Sequence, residues 1–203
     1  MIKKRIYFAV IALVGFIPAS FAAVKIDNAA PDFSLVNTKG QQVSLSDYQG
    51  KYVVLEWTNH LCPYVKKHYE SDNMQALQRK YNEKDIVWLS IISSAPGKQG
   101  YVDPAMAEKL TQTRNAASTH VLFDPEGDVG KLYDAKTTPH MYIISPSGEL
   151  KYAGGIDSIK SAKQSDIPKA VNYVDASFDA LMAGKPIDKK LTPPYGCSVK
   201  YKS

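Results

Sequence analysis

Cysteine is scarce in this chain: two in 203 residues, Cys62 and Cys197. So few exclude a scaffold built on disulfides, and an apolar core must hold the fold. No CxxC or CxxxC spacing exists, which excludes dithiol exchange confined to one loop. Strongly basic runs are missing as well, once the first residues are set apart. Lys3, Lys4 and Arg5 precede an apolar stretch from Ile6 to Pro18, and Ser20-Phe21-Ala22 offers small residues before a cleavage point. That pattern is a secretory signal peptide, cut after Ala22 and too short to span a bilayer. It implies a periplasmic or secreted chain with no stable membrane insertion after cleavage. No cysteine follows the apolar run, so lipid attachment there is excluded. Without residues 1–22, the 25 Lys and Arg fall to 22 against 20 Asp and Glu. A balance near neutrality argues for no nucleic-acid partner.

The remaining residues suffice for one domain with a proper core. We expect a domain over residues 23–184 and an extended tail over 185–203 that carries Cys197. There is no internal repeat and no low-complexity tract. "APDFSLVNTKGQQVSLSDYQGKYVVLEW" reads as a strand, a Lys39-Gly40 turn, a return strand, a Ser46-Asp47 helix start and then a continuous apolar strand over 52–57. Val65, Tyr69, Met74, Leu77 and Tyr81 mark an amphipathic helix after Cys62, broken near Ser71-Asp72-Asn73. "DIVWLSIIS" is a second buried strand, followed by a helix over 104–117, a third strand at "HVLFD" and a short helix over 128–133. "HMYIIS" and "LKYAGG" pair around Pro146-Ser147-Gly148, and a last helix is expected over 166–183. This order implies an α/β fold with a mixed sheet between helices. Its site belongs at the carboxyl end of the central strand, where the Cys62 loop falls.

Cys62 directly precedes Pro63, and proline suits the first turn of a helix. A thiol at a helix start gains thiolate character from the free N–H groups and the dipole. His60, two residues earlier, is placed to accept its proton or, if charged, to favour the anion. In "AKTTPHMYII", Thr138-Pro139 opens a strand; trans is the commoner isomer for such a bond, and a cis bond would turn the Thr138 backbone toward the cysteine loop.

Together these features resemble the thioredoxin fold, and the "PDF…SL-D…GK-VVL" opening resembles its peroxiredoxin branch, the alkyl hydroperoxide reductase and thiol-specific antioxidant (redoxin) family. "GGIDS", "ALMAGKPI" and "GCSVKY" extend the likeness to a peroxiredoxin-like subgroup with a similar tail. The resemblance implies a thioredoxin-like fold and a thiol-based oxidoreductase or antioxidant needing no cofactor and no metal. Cys62 is then the redox nucleophile, with Pro63, Thr58, His60, Thr138 and Pro139 shaping the substrate side. Partners are a small peroxide or a protein disulfide as substrate and a periplasmic dithiol as reductant. The chain departs from the family at its loop. Thr58 lies four residues before Cys62 rather than three, and Arg114 is the one arginine available to assist from a distance.

Cys197 sits in a Pro- and Gly-bearing tail able to cross the domain. It is either a resolving thiol for an oxidised Cys62, half of a permanent clasp, or unpaired. Two other function classes compete: a copper-handling chaperone using His60, His68 and His140 beside thiolate, and a non-catalytic binding domain with a structural Cys62–Cys197 bridge.

Overall fold

The computed structural model describes residues 24–202. The expected signal peptide over residues 1–22 lies outside them. Among the described residues no helix is long and apolar enough to cross a membrane.

Seven strands form one mixed sheet in the order β2-β1-β5-β4-β3-β7-β8. β1 (Ser34–Asn37) and β2 (Gln42–Ser44) make the expected hairpin, with Gly40 at φ 74° in its turn. A 3-10 turn over Leu45–Tyr48 follows, its start fixed by Asp47, whose carboxylate accepts the Ser44 N–H (2.8 Å). β3 (Val53–Trp57), β4 (Val87–Ile92) and β5 (His120–Phe123) run parallel, while β7 (His140–Ile144) pairs antiparallel with β3 and with β8 (Leu150–Gly154). This is the thioredoxin-like α/β fold the motifs imply.

Every residue of β3 is buried, because side chains on its two faces enter separate cores. Val53, Leu55 and Trp57 join Phe33, Tyr133 and Tyr142 on one face. Val54 joins Val65, Trp88, Ile143 and Phe178 on the other, along with Cys62. Helices α1 (Pro63–Tyr69) and α2 (Asn73–Asn82) break where expected, with Asp72 in the left-handed region at φ 59°.

Two helices are shorter than their periodicity implied. α3 spans Pro104–Thr113 and stops before a left-handed Asn115. The short α4 covers Asp128–Leu132. The last segment splits: a 3-10 turn over Gln164–Lys169 contains Pro168, and only Tyr173–Met182 is α-helical (α5), capped by the Asn172 side chain. Pro168 has no N–H to donate to an α-helical ladder, and Val171 is 57% exposed rather than on an apolar face.

The segment after α5 lies along the domain surface. Thr192 N–H donates to the Ala153 carbonyl (3.1 Å), and β9 (Cys197–Ser198) pairs antiparallel with β6 (Thr137–Thr138) as a second, two-stranded sheet. Beyond it, Ala95 N–H donates to the Lys200 carbonyl (2.9 Å) and the Tyr201 hydroxyl to that of Ala135 (2.6 Å). The Tyr201 ring fills space that a side chain at Gly127 or Gly130 would take.

Candidate active site

β3 ends at Trp57, level with Ile91 of β4 and His140 of β7. The chain then turns under Asn59, which is 1% exposed: its Oδ1 accepts the Leu61 N–H (2.9 Å) and its Nδ2 donates to the Gln99 carbonyl (3.2 Å). Cys62 N–H donates to the Asn59 carbonyl (3.0 Å), closing the turn and delivering Cys62 as the N-cap of α1 with Pro63 at its first position. The Cys62 side chain is 0% exposed.

Because Trp57 faces His140, the preceding Thr138-Pro139 bond comes level with the cysteine loop, and it is cis. The Cys62 thiol donates to the Thr138 carbonyl (3.1 Å). On the outer side of Thr138 lies the tail: Thr138 faces Cys197 in the β6–β9 register. Gly196 makes that approach possible, since it adopts φ 143° and a Cβ there would run into the Thr138 carbonyl. Gly196→Ala is therefore expected to lift the tail, at a cost of about 1–3 kcal/mol. Alkylation of Cys197, followed by mass spectrometry, should quicken severalfold; unchanged protection would contradict this docking.

Both cysteines are free thiols, and their surroundings differ. Burial pushes the Cys62 thiol up, but hydrogen bonds from the Cys197 thiol, the Val65 and Cys197 backbone N–H groups and the Thr138 hydroxyl outweigh it. The net result lies below an ordinary thiol. The neutral thiol makes no capping bond, so the Val65 N–H acts on the anion. Against these donors, the Thr138 carbonyl favours the protonated form. Burial, then the hydrogen bond and charge of Cys62, push Cys197 up to about 11 despite Lys200. Of the two sulfurs, the thiolate belongs on Cys62.

The remaining sequence candidates divide into two groups. Cys62, Thr138, Pro139 and Cys197 meet, and Pro63 opens the helix behind the thiol. Thr58 and His60 instead line a small cavity toward α3, with Tyr69, Ser90 and Arg114. Arg114 donates to the His60 carbonyl (3.0 Å) and lies 5.2 Å from the centre of the Tyr69 ring, so it braces the loop and makes no hydrogen bond to the sulfur. His60 makes no hydrogen bond to Cys62, and burial, then Arg114 and Lys66, hold its pKa below the usual histidine value. It is neutral at pH 7 and adds no positive charge to the thiolate. His68 and His140 are buried among protein partners, held near pKa 4 and 3 chiefly by burial. Among the described residues no three His, Cys, Asp or Glu side chains gather as a metal site, so the copper reading gains no ligand set.

A match to the AhpC/TSA family runs from residue 26 to 153, well over half of the chain. The chain belongs to the AhpC/TSA family. Cys62, Thr138 and Pro139 lie inside the AhpC/TSA match and Cys197 lies beyond it. The chain is similar to the thiol-disulfide oxidoreductase ResA of Geobacillus kaustophilus, at 24% identity over 156 residues, 74% of this chain and 84% of that protein. It is 30% identical over 128 residues to the thioredoxin-like protein YneN of Bacillus subtilis, 60% of this chain and 66% of YneN. Among solved structures, an uncharacterized conserved protein from Geobacillus kaustophilus superposes with a TM-score of 0.77 at 28% identity, covering 88% of this chain and 93% of that one.

Sequence reasoning missed one acid behind this AhpC/TSA site. Glu56, the lone carboxylate in the apolar β3, is 0% exposed. Its oxygens accept from Trp88 Nε1 (2.8 Å), the Tyr69 hydroxyl (2.9 Å), the Ser90 hydroxyl (3.1 Å) and Gln78 Nε2 (3.3 Å). Burial still pushes its carboxyl above the ordinary range, against the pull of these donors. The folded state thus keeps a proton that the unfolded chain releases near pH 4.3. Stability from this group is complete below that pH and declines as pH rises toward the folded midpoint. Glu56→Gln should flatten this limb of a plot of Tm against pH. A variant curve parallel to that of the parent would contradict the assignment.

Proposed function

We propose that this chain is an extracytoplasmic, peroxiredoxin-like thiol oxidoreductase in which Cys62 is the nucleophile and Cys197 the resolving thiol. Residues 1–22 serve as a cleaved signal peptide, 23–184 as the redoxin domain and 185–203 as the tail that brings Cys197. The reading rests on one observation above others: β9 seats Cys197 opposite Thr138, whose carbonyl accepts the Cys62 thiol (3.1 Å).

The chemistry follows from the asymmetry of the pair. The Cys62 thiolate attacks a hydroperoxide oxygen, the O–O bond breaks, and the alcohol or water leaves after taking a proton. Cys62 is left as a sulfenic acid. The Cys197 thiol condenses with it, forming the S–S bond and releasing water. An external dithiol then attacks the partly exposed Cys197 sulfur, and Cys62 departs because the more acidic thiol is the better leaving group. The second thiol of the reductant closes on the mixed disulfide, which returns Cys197 as a thiol and leaves the reductant oxidised.

A small oxidant suits Cys62, which the docked tail covers; a folded protein disulfide would first have to displace β9. The second reading, exchange with a protein disulfide, is favoured by the name that the ResA relative carries. Stopped-flow mixing of the reduced protein, followed by tryptophan fluorescence, separates the two. Trp57 ends β3 beside the cysteine loop and is 0% exposed, so changes at the pair should register in its emission. A fast change with peroxide supports the first reading. A change with glutathione disulfide alone selects the second, and no change with either rejects both.

A further inference from the structure

The helix that presents Cys62 also carries, in its second turn, two wholly buried polar residues that the chemistry above does not use. Lys67 and His68 side chains are 0% exposed, and both face Asp157 in the loop after β8 and Tyr195 in the tail. Lys67 Nζ donates to Asp157 Oδ2 (3.0 Å), to the Tyr195 hydroxyl (3.3 Å) and to the Ile159 carbonyl (3.4 Å). Three donors thus meet three acceptors. The Tyr195 hydroxyl donates to Asp157 Oδ1 (2.5 Å), which also accepts the Ile159 N–H (3.0 Å). His68 Nε2 lies 3.4 Å from the Tyr195 hydroxyl and 3.7 Å from Asp157 Oδ2, and its Nδ1 lies 2.8 Å from Asn73 Nδ2. Burial holds His68 near pKa 4, so it is neutral here and Lys67–Asp157 is the charge pair.

A buried ion pair is weak evidence of stability, because desolvation offsets most of its attraction. What such a satisfied network does fix is geometry, since every displaced member would leave a buried charge or hydroxyl unpaired. Here the member that reaches furthest is Tyr195, two residues before Cys197. Tyr195 and Cys197 both pack on the apolar cluster that holds Cys62 and Val65, while Gly196 between them bends past the Thr138 carbonyl. One helix therefore holds the nucleophile at its start and the tail's anchor in its second turn.

We propose that Tyr195 is the positioning residue for Cys197: through Asp157 and Lys67 it fixes the tail to α1 and sets the resolving sulfur against Cys62. The proposal rests on the reading of Cys197 as resolver. Tyr195→Phe tests it in the full mature protein. The ring keeps its edge-on packing with Tyr64 (5.7 Å between centres), and only the hydroxyl is lost. Two measurements are made on the parent and the variant. The first is the rate at which oxidised Cys62 closes onto Cys197, by acid quench and mass spectrometry. The second is the pH midpoint of Cys62 alkylation, which reports the hydrogen bonds that Cys197 contributes to the Cys62 sulfur.

Closure should slow about tenfold, as for the loss of one charge-assisted hydrogen bond, and the midpoint should rise. Asp157→Asn, which leaves the buried Lys67 charge unpaired, should move both in the same direction by at least as much and lower Tm further. A fall in Tm with closure and midpoint both unchanged would mean that Tyr195 is only structural, and would overturn the proposal while leaving the redox pair intact. If the parent forms no Cys62–Cys197 bridge, the functional reading fails, yet a raised midpoint in Tyr195→Phe still supports the positioning.

Discussion

Cys62→Ser should reduce oxidant consumption and disulfide formation to the uncatalysed rate. The expected loss is about a thousandfold or more, the scale seen when a covalent nucleophile is removed. A serine hydroxyl does not ionise near neutral pH and forms no sulfenic acid. The fold should tolerate the change, because the hydroxyl can still donate to the Thr138 carbonyl as the thiol does at 3.1 Å. A Tm close to that of the parent, together with lost turnover, is the predicted pair of results. Turnover that survives Cys62→Ser would remove the enzyme reading altogether.

Cys197→Ser should divide the cycle instead. The serine keeps its backbone N–H and gains a hydroxyl donor, so the Cys62 thiolate retains much of its support. Its first reaction with oxidant should stay within about threefold of the parent, far less than the loss in turnover. Closure, however, becomes impossible. Turnover with an external dithiol should drop about a hundredfold, because a positioned intramolecular step is replaced by an encounter between molecules. Cys62 should then collect as sulfenic acid and, under excess peroxide, advance to the sulfinic form. Intact-mass spectrometry would show the gain of one oxygen and then two. A variant that still cycled at the parental rate would show that Cys197 is not the resolver.

Much of this arrangement was legible in the sequence, for local reasons. The strand over 52–57, the Cys62-Pro63 helix start, the break at Asp72 and the hairpin around Gly148 are each written in adjacent residues. Apolar spacing through Val171 predicts a longer last helix than the structure has, because Pro168 ends any α-helical ladder before it. Sequence alone leaves the isomer of the Thr138-Pro139 bond open, since the common choice is trans and tertiary contacts decide.

The parts that stayed hidden depend on distant partners. Glu56 drew no notice within an apolar run, yet its ligands come from α1, α2 and β4. Lys67 and Asp157 are ninety residues apart, and Tyr195 is farther still from Lys67. Nothing local distinguishes a buried lysine of this kind from a solvated one on the same helix. The reach of the tail was nearer to view: its Pro- and Gly-bearing sequence can cross the domain to Cys62, but only the Thr138 carbonyl explains why Gly196 is needed.

The central claim is that Cys62 and Cys197 form one reversible redox pair within a single chain. Its most direct test is a disulfide map of the mature protein, made after stoichiometric peroxide and again after an added dithiol. The account predicts one intramolecular Cys62–Cys197 bridge, formed with the loss of both thiols and reopened completely by the dithiol. Oxidised Cys62 beside a Cys197 that still alkylates, or a bridge joining two chains, would contradict it.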